Sequence, residues 1–132
     1  MKKLNVLGLV ISLMVLLGCE LEPLKISESD IVEGIEGNSL DFSKVFYNYW
    51  DKIYIFHPYT PIELIEETIG VNFSYTTAIE YSDAIYLVIA IKNGQVIKYA
   101  EVSRLDFDFN TNHIIMLTKD NPIFIFDEEV VN

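Results

Sequence analysis

Apolar positions along the chain recur with two periods, and each period predicts its own elements. The runs Ala84 to Ile91 and Val96 to Ser103 flank Asn93-Gly94, a pair that adopts positive φ readily, and this pattern predicts a β-hairpin. In a straight register Lys92 pairs with Gln95, Ile91 with Val96, Leu87 with Ala100 and Ile85 with Val102, so one face is almost wholly aliphatic and belongs to the core. The other face carries Tyr86, Val88 and Ala90 opposite Glu101, Tyr99 and Ile97. Tyr86, Val88, Ile97 and Tyr99 on that face form a candidate interaction surface, apolar enough to suit a partner.

Upstream, Lys52 to Phe56 alternates Ile53 and Ile55 with Tyr54 and Phe56, the pattern of a strand buried on both faces. Thr60-Pro61-Ile62-Glu63 reads as a capping box with proline at the first helical position, and Gly70 supplies a stop, predicting a helix over residues 61–69. That helix places Ile62, Ile65 and Ile69 on one face and leaves Glu63, Glu66 and Glu67 in water. Phe42, Val45, Phe46 and Tyr49 share one helical face, so a second short helix is expected between Asn38 and Trp50, capped by Asn38 or Ser39. Residues 73–80 predict a further strand ahead of a Ser82-Asp83 turn, and residues 113–117 and 123–126, joined by a polar turn ending in Pro122, predict a second hairpin. The fold class is therefore α+β: an antiparallel β-sheet of consecutive hairpins with one or two short helices packed on one face.

The pattern changes before residue 39. Lys2 and Lys3 precede an apolar run from Leu4 to Leu17 that is too short for a comfortable membrane span and ends in Leu16-Leu17-Gly18-Cys19. This resembles the lipobox of bacterial lipoproteins, in which a small residue precedes the cysteine that becomes a lipidated amino terminus. The resemblance implies a signal peptide over residues 1–18 and lipidation, including palmitate, at Cys19. One acyl chain anchors only marginally, whereas several hold a protein to a bilayer. Loss of Lys2 and Lys3 with the leader takes the formal charge from −11 to −13. Residues 19–38 carry Glu20, Glu22, Glu28, Asp30, Glu33 and Glu36 with few large apolar groups, and are expected to be an extended acidic tether ahead of a single domain over residues 39–132.

Nine basic against twenty acidic residues exclude a broad nucleic-acid surface. One cysteine and two histidines do not make a self-contained zinc site. Asp106, Asp108 and Asn110 have the spacing that opens a calcium loop, but its glycine and final glutamate places hold Thr111 and Leu117. A strand with Leu105, Phe107 and Phe109 turned inward explains the same residues. His57 stands at a strand end, where active sites often lie, without a companion in sequence. The chain has no serine-hydrolase elbow, phosphate-binding glycine loop or His-Glu-x-x-His pair. No catalytic residue, metal ligand or cofactor is assigned.

Trp50-Asp51-Lys52-Ile53-Tyr54-Ile55-Phe56-His57-Pro58-Tyr59-Thr60, with Ser82-Asp83-Ala84-Ile85 and Lys92-Asn93-Gly94, resembles small bacterial lipoproteins of uncharacterised activity that share a Trp-Asp-Lys and Pro-Tyr pattern over roughly residues 50–100. A cysteine is frequent there in place of Tyr54 and a glycine in place of His57, so a disulfide of such relatives cannot form here. The resemblance implies a lipid-anchored protein of the cell envelope, on the outer membrane facing the periplasm where two membranes exist. It transfers no catalytic residue. The expected role is a non-enzymatic binding module with a membrane through Cys19 and an envelope protein as partners. Two alternatives stand beside it: an inhibitor or immunity-like protein whose acidic surface blocks a basic enzyme or toxin, and a small hydrolase using His57 with a carboxylate.

Overall fold

A strand that is apolar on both faces needs cover on both sides, and the architecture supplies it. The computed structural model describes residues 23–126; the expected signal peptide and Cys19 lie outside the described residues. In chain order the elements are strand β1 (Leu24–Lys25), helix α1 (Glu28–Val32), strands β2 (Ile35–Glu36) and β3 (Ser39–Asp41), helix α2 (Phe42–Phe46), strand β4 (Lys52–Phe56), helix α3 (Ile62–Ile69), and strands β5 (Ile85–Lys92), β6 (Gln95–Ser103), β7 (Ile115–Thr118) and β8 (Ile123–Ile125). This is an α+β fold. A five-stranded sheet has the order β1-β6-β5-β4-β7, and a three-stranded sheet the order β2-β3-β8. The first is mixed, because β1 runs parallel to β6 while its other pairs are antiparallel; the second is antiparallel throughout. Among the described residues no helix is long and apolar enough to cross a membrane.

Strand β4 has the predicted bounds and the predicted two-sided burial. Ile53 and Ile55 enter a core with Tyr86, Val88, Ala100 and Val102 of the hairpin, closed by Ile31, Leu40, Phe42, Phe46 and Trp50. Tyr54 and Phe56 enter a second core with Leu87, Ile89, Ile91 and Tyr99, closed by Ile65 and Ile69 of α3 and by Phe73 and Ile79. The helices thus lie on both faces of the large sheet, not on one as expected. Trp50 is wholly buried, and its indole N–H donates to the Tyr47 carbonyl at 2.9 Å.

The Asn93-Gly94 hairpin forms with both turn residues at positive φ. Its register differs from the straight one. Lys92 pairs with Gln95 and Ile91 with Val96, but Ala90 then pairs with Lys98 and Val88 with Ala100. Ile97 is the extra residue of a β-bulge, and a shift of one residue moves every later β6 side chain to the opposite face.

The segment expected as a tether is folded from Leu24 onward. Leu24 and Lys25 pair with Lys98 and Tyr99, and Ile31 of α1 is fully buried. Glu28, read as part of a repelling spacer, accepts the Ser103 backbone N–H at 2.7 Å and ties α1 to the end of β6. Gly34 is required by contact: a Cβ there would lie 2.5 Å from Val45 Cγ2 and 2.8 Å from the Asp41 carbonyl oxygen.

Four further expectations are corrected. The helix expected between Asn38 and Trp50 shrinks to α2, because residues 39–41 pair as β3; Asp41, not Asn38 or Ser39, caps it by accepting the Ser43 N–H at 2.9 Å. Helix α3 ends at Gly70 in the left-handed conformation, as its glycine predicts. Its capping box is absent, however, since Thr60 Oγ1 donates to the His57 carbonyl and Glu80 takes the Ile62 N–H at 2.7 Å. Residues 73–80 are irregular, not a strand, and are held by Glu66 on the Phe73 N–H and Glu101 on the Ala78 N–H. The second hairpin does not form within one sheet: β7 joins β4, while β8 joins β3.

Ile31→Ala separates a folded segment from a spacer. Deleting a buried isoleucine side chain costs about 2–5 kcal/mol, so urea unfolding of the variant should show a loss in that range. A change within a few tenths of a kcal/mol would return this segment to the status of a tether.

Candidate functional site

The expected contact surface of Tyr86, Val88, Ile97 and Tyr99 does not exist as a surface. Tyr86, Val88 and Tyr99 are 2%, 0% and 6% exposed. Tyr86 and Val88 keep the face that β5 gives them, with Ile97 half-buried beside them, but α1, α2 and Trp50 cover that face as a core; the bulge at Ile97 turns Tyr99 into the other core. Tyr99 packs edge-on to Phe73 and stacks on Tyr75, with ring centroids at 5.4 and 5.6 Å.

A polar cleft of about 500 Å3 opens at the end of the large sheet where β4 and β6 finish and β5 begins. One wall is the chain leaving β4: His57, Pro58 and Tyr59. Buried Thr60 donates its hydroxyl to the His57 carbonyl at 2.6 Å, and the Tyr59 N–H donates to the Ile79 carbonyl at 2.8 Å. The carbonyl of Pro58 only accepts, so His57 Nδ1–H, 2.9 Å away, is the donor; in the neutral ring Nε2 is then left with a lone pair. Tyr59 sits in the left-handed region at φ 64° and is 58% exposed. A tyrosine in that conformation costs about 1–2 kcal/mol, and such strain clusters at functional sites.

The facing wall is the segment after β6. Phe107 and Phe109 turn into the core, and the Phe109 ring meets Tyr86 edge-on at 5.0 Å. This alternation presents Asp108 to the cleft between them. No strand forms here, however, and Leu105, expected inward, is 95% exposed. Asp108 Oδ1 accepts the Tyr86 hydroxyl at 2.7 Å and the Asn110 N–H at 2.8 Å. Arg104 is anchored by its N–H on the Ala84 carbonyl and by one guanidinium nitrogen on the Asp83 carbonyl at 3.0 Å. Among the described residues it forms no ion pair. Asn110, Thr111 and Asn112 complete the rim, with the Thr111 hydroxyl occupied by the backbone of His113.

These contacts set the protonation of the pair at the cleft floor. Burial, and then the bond to Asp108, push the Tyr86 hydroxyl up to about 12. The Tyr86 O–H holds the Asp108 carboxyl below its ordinary value. The pair is therefore an ionised acceptor braced by a neutral donor at neutral pH. Among the described residues no three or more His, Cys, Asp or Glu side chains gather as a metal site. A smaller groove of about 250 Å3, at the other end of the hairpin, lies beside Tyr49 and Lys92, whose ammonium sits 5.7 Å from the Tyr49 ring. Asn93, Gln95, Val96, Ile97 and Lys98 complete its lining.

Of the residues singled out by sequence, the structure brings His57, Tyr59, Tyr86, Asp108 and Asn110 together and leaves His113 and Asp106 outside the cleft lining. Arg104 and Asn112 carried no signal in the sequence. Their convergence depends on the hairpin returning Arg104 to the end of β4. No protein-family model, curated protein or solved structure matches the chain.

Tyr86→Phe tests the brace. At neutral pH it should cost about 1.5–3 kcal/mol, the range for a hydrogen bond to a charged group. Because folding raises the Tyr86 pKa from 10.0 to about 12, its contribution is fully present below pH 10 and is lost as the pH climbs to 12. The Asp108 contribution is present above 3.8 and is lost as pH falls through its lowered value. Urea unfolding of wild type and variant across pH should show stabilities that differ most between these limits and converge outside them; a difference independent of pH would refute the assignment.

Proposed function

We propose that the protein is a bacterial envelope lipoprotein, anchored through lipid on Cys19, and that its domain is a non-enzymatic module binding its ligand in the cleft between His57 and Asp108. The observation that carries the binding reading is the convergence of Arg104, Asp108, His57, Asn110 and Asn112 on one open polar cleft. Its volume falls in the usual range of small-molecule sites, and its lining is more polar than most. The brace on Asp108 keeps its carboxylate in one position before any ligand arrives, which lowers the ordering cost of binding.

Binding is favoured over hydrolysis by what lines the cleft. Among the described residues neither serine nor cysteine lines it, and the Thr111 hydroxyl is already engaged by backbone. A catalytic histidine needs a nucleophile or an activated water within hydrogen-bond reach. The anchoring reading rests on the leader pattern and on Leu16-Leu17-Gly18-Cys19.

Two measurements test the two halves separately. Cys19→Ser should move the protein out of the membrane fraction and abolish incorporation of labelled palmitate; retention of both would refute the anchor. Protein-free envelope solutes should raise the Tm of the full-length protein, and Arg104→Ala should keep the unliganded Tm but lose the rise. An equal rise in both proteins, or none in either, counts against the cleft.

A further inference from the structure

Resting on the binding reading above, we infer that the cleft between His57 and Asp108 is a saccharide site, taking an uncharged sugar ring against Tyr59. Among the described residues, Arg104 and Asp108, of opposite sign, are the guanidinium and the carboxylate that line it. A strongly anionic ligand would meet Asp108 within a protein whose formal charge is −11, and a cationic one would meet Arg104. The remaining polar lining is neutral and two-natured: the amides of Asn110 and Asn112 each offer donors and an acceptor. Sugar hydroxyls are themselves both donors and acceptors, and adjacent ones match amide, carboxylate and guanidinium groups in pairs.

Asp108 is disposed for this role. Its Oδ1 is filled by the Tyr86 hydroxyl and the Asn110 N–H, whereas Oδ2 accepts from no described group. Arg104 spends one guanidinium nitrogen on the Asp83 carbonyl and keeps further N–H donors for a ligand. His57, with Nδ1 tied to the Pro58 carbonyl, offers Nε2.

Tyr59 supplies the apolar half of sugar recognition. A pyranose presents a face of C–H groups, and covering that face with an aromatic ring removes apolar area from water. Tyr59 is on the cleft lining, 58% exposed, and held at φ 64° where an L residue is strained. The Ile79 carbonyl fixes its backbone from outside the cleft, and Tyr81, two residues beyond, is 83% exposed. An exposed ring on a strained, externally braced backbone beside a polar cleft is poorly explained by packing. It is well explained by a flat ligand that stacks on it.

The test uses 15N-labelled full-length protein in a sugar-free detergent, titrated separately with chito-oligosaccharide, malto-oligosaccharide, glycylglycine and inorganic phosphate, and followed by amide chemical shifts. At least one saccharide should shift amides within residues 57–60 and 104–112 in a saturable manner. Tyr59→Ala, which removes the ring and keeps the backbone conformation, should weaken that binding about tenfold, as expected for losing the apolar cover of one ring. Asp108→Asn retains a carbonyl acceptor for Tyr86 and should weaken it as well while the unliganded spectrum stays folded. Saturable shifts in the cleft with glycylglycine or phosphate, and none with either saccharide, would overturn the sugar class and leave the cleft a binding site. Saccharide shifts elsewhere, or an unchanged affinity in Tyr59→Ala, would overturn the placement. Silence from all four probes overturns the inference, while the response to envelope solutes still decides independently whether the cleft binds anything.

Discussion

Strands β4 and β5 are buried on both faces, and the rest of the fold follows from that demand. In β5 six consecutive residues from Tyr86 to Ile91 are buried, and in β4 four from Ile53 to Phe56. Each fully buried large apolar side chain contributes about 1.5–3 kcal/mol only if something covers it. One side is covered by α1, α2, Trp50 and the small sheet, the other by α3 and the irregular chain around Phe73 and Ile79. A domain of this length cannot spare a segment as a spacer when two layers have to be closed, which is why residues 24–36 are drawn into the structure.

Covering segments with little regular structure leave backbone N–H groups without ladder partners, and such groups are costly to bury unbonded. Carboxylates meet that need here. Glu28 takes the Ser103 N–H, Asp51 that of Asn93, Glu66 that of Phe73, Glu80 that of Ile62 and Glu101 that of Ala78. Part of the acidic surplus is thus structural: the charges fasten loops to the sheet and do not only repel one another in water. Glu101 also pairs with Lys25 at 2.9 Å, joining the short first strand to the same fastening.

The cleft uses the same device. Where the hairpin ends, Phe107 and Phe109 bury themselves and Asp108 is left between them, fixed by Tyr86 from the core and by Asn110 from its own loop. Core packing and site geometry are therefore one arrangement. The tyrosine that the hairpin pattern offered to solvent is the group that holds the carboxylate still.

Local patterns sufficed for features decided by local physics. The alternation in Lys52–Phe56, the positive-φ pair Asn93-Gly94 and the stop at Gly70 each depend on a few neighbouring residues, and each was legible. So was the inward turn of Phe107 and Phe109. The cap of α3 was not, because Glu80, eighteen residues away, displaced the neighbouring Thr60. Nor was the face of Tyr99, because one extra residue at Ile97 reverses every β6 assignment beyond it, nor the burial of Tyr86, because the cover over its face comes from α1 and α2, far upstream in the chain. His57 and Asp108 were visible as chemistry but not as neighbours. By itself the sequence determined the central strand Lys52–Phe56, the Asn93-Gly94 hairpin and the stop of α3; the tertiary structure decided the short strands, faces, caps and side chains that meet, since those depend on contacts between residues far apart along the chain.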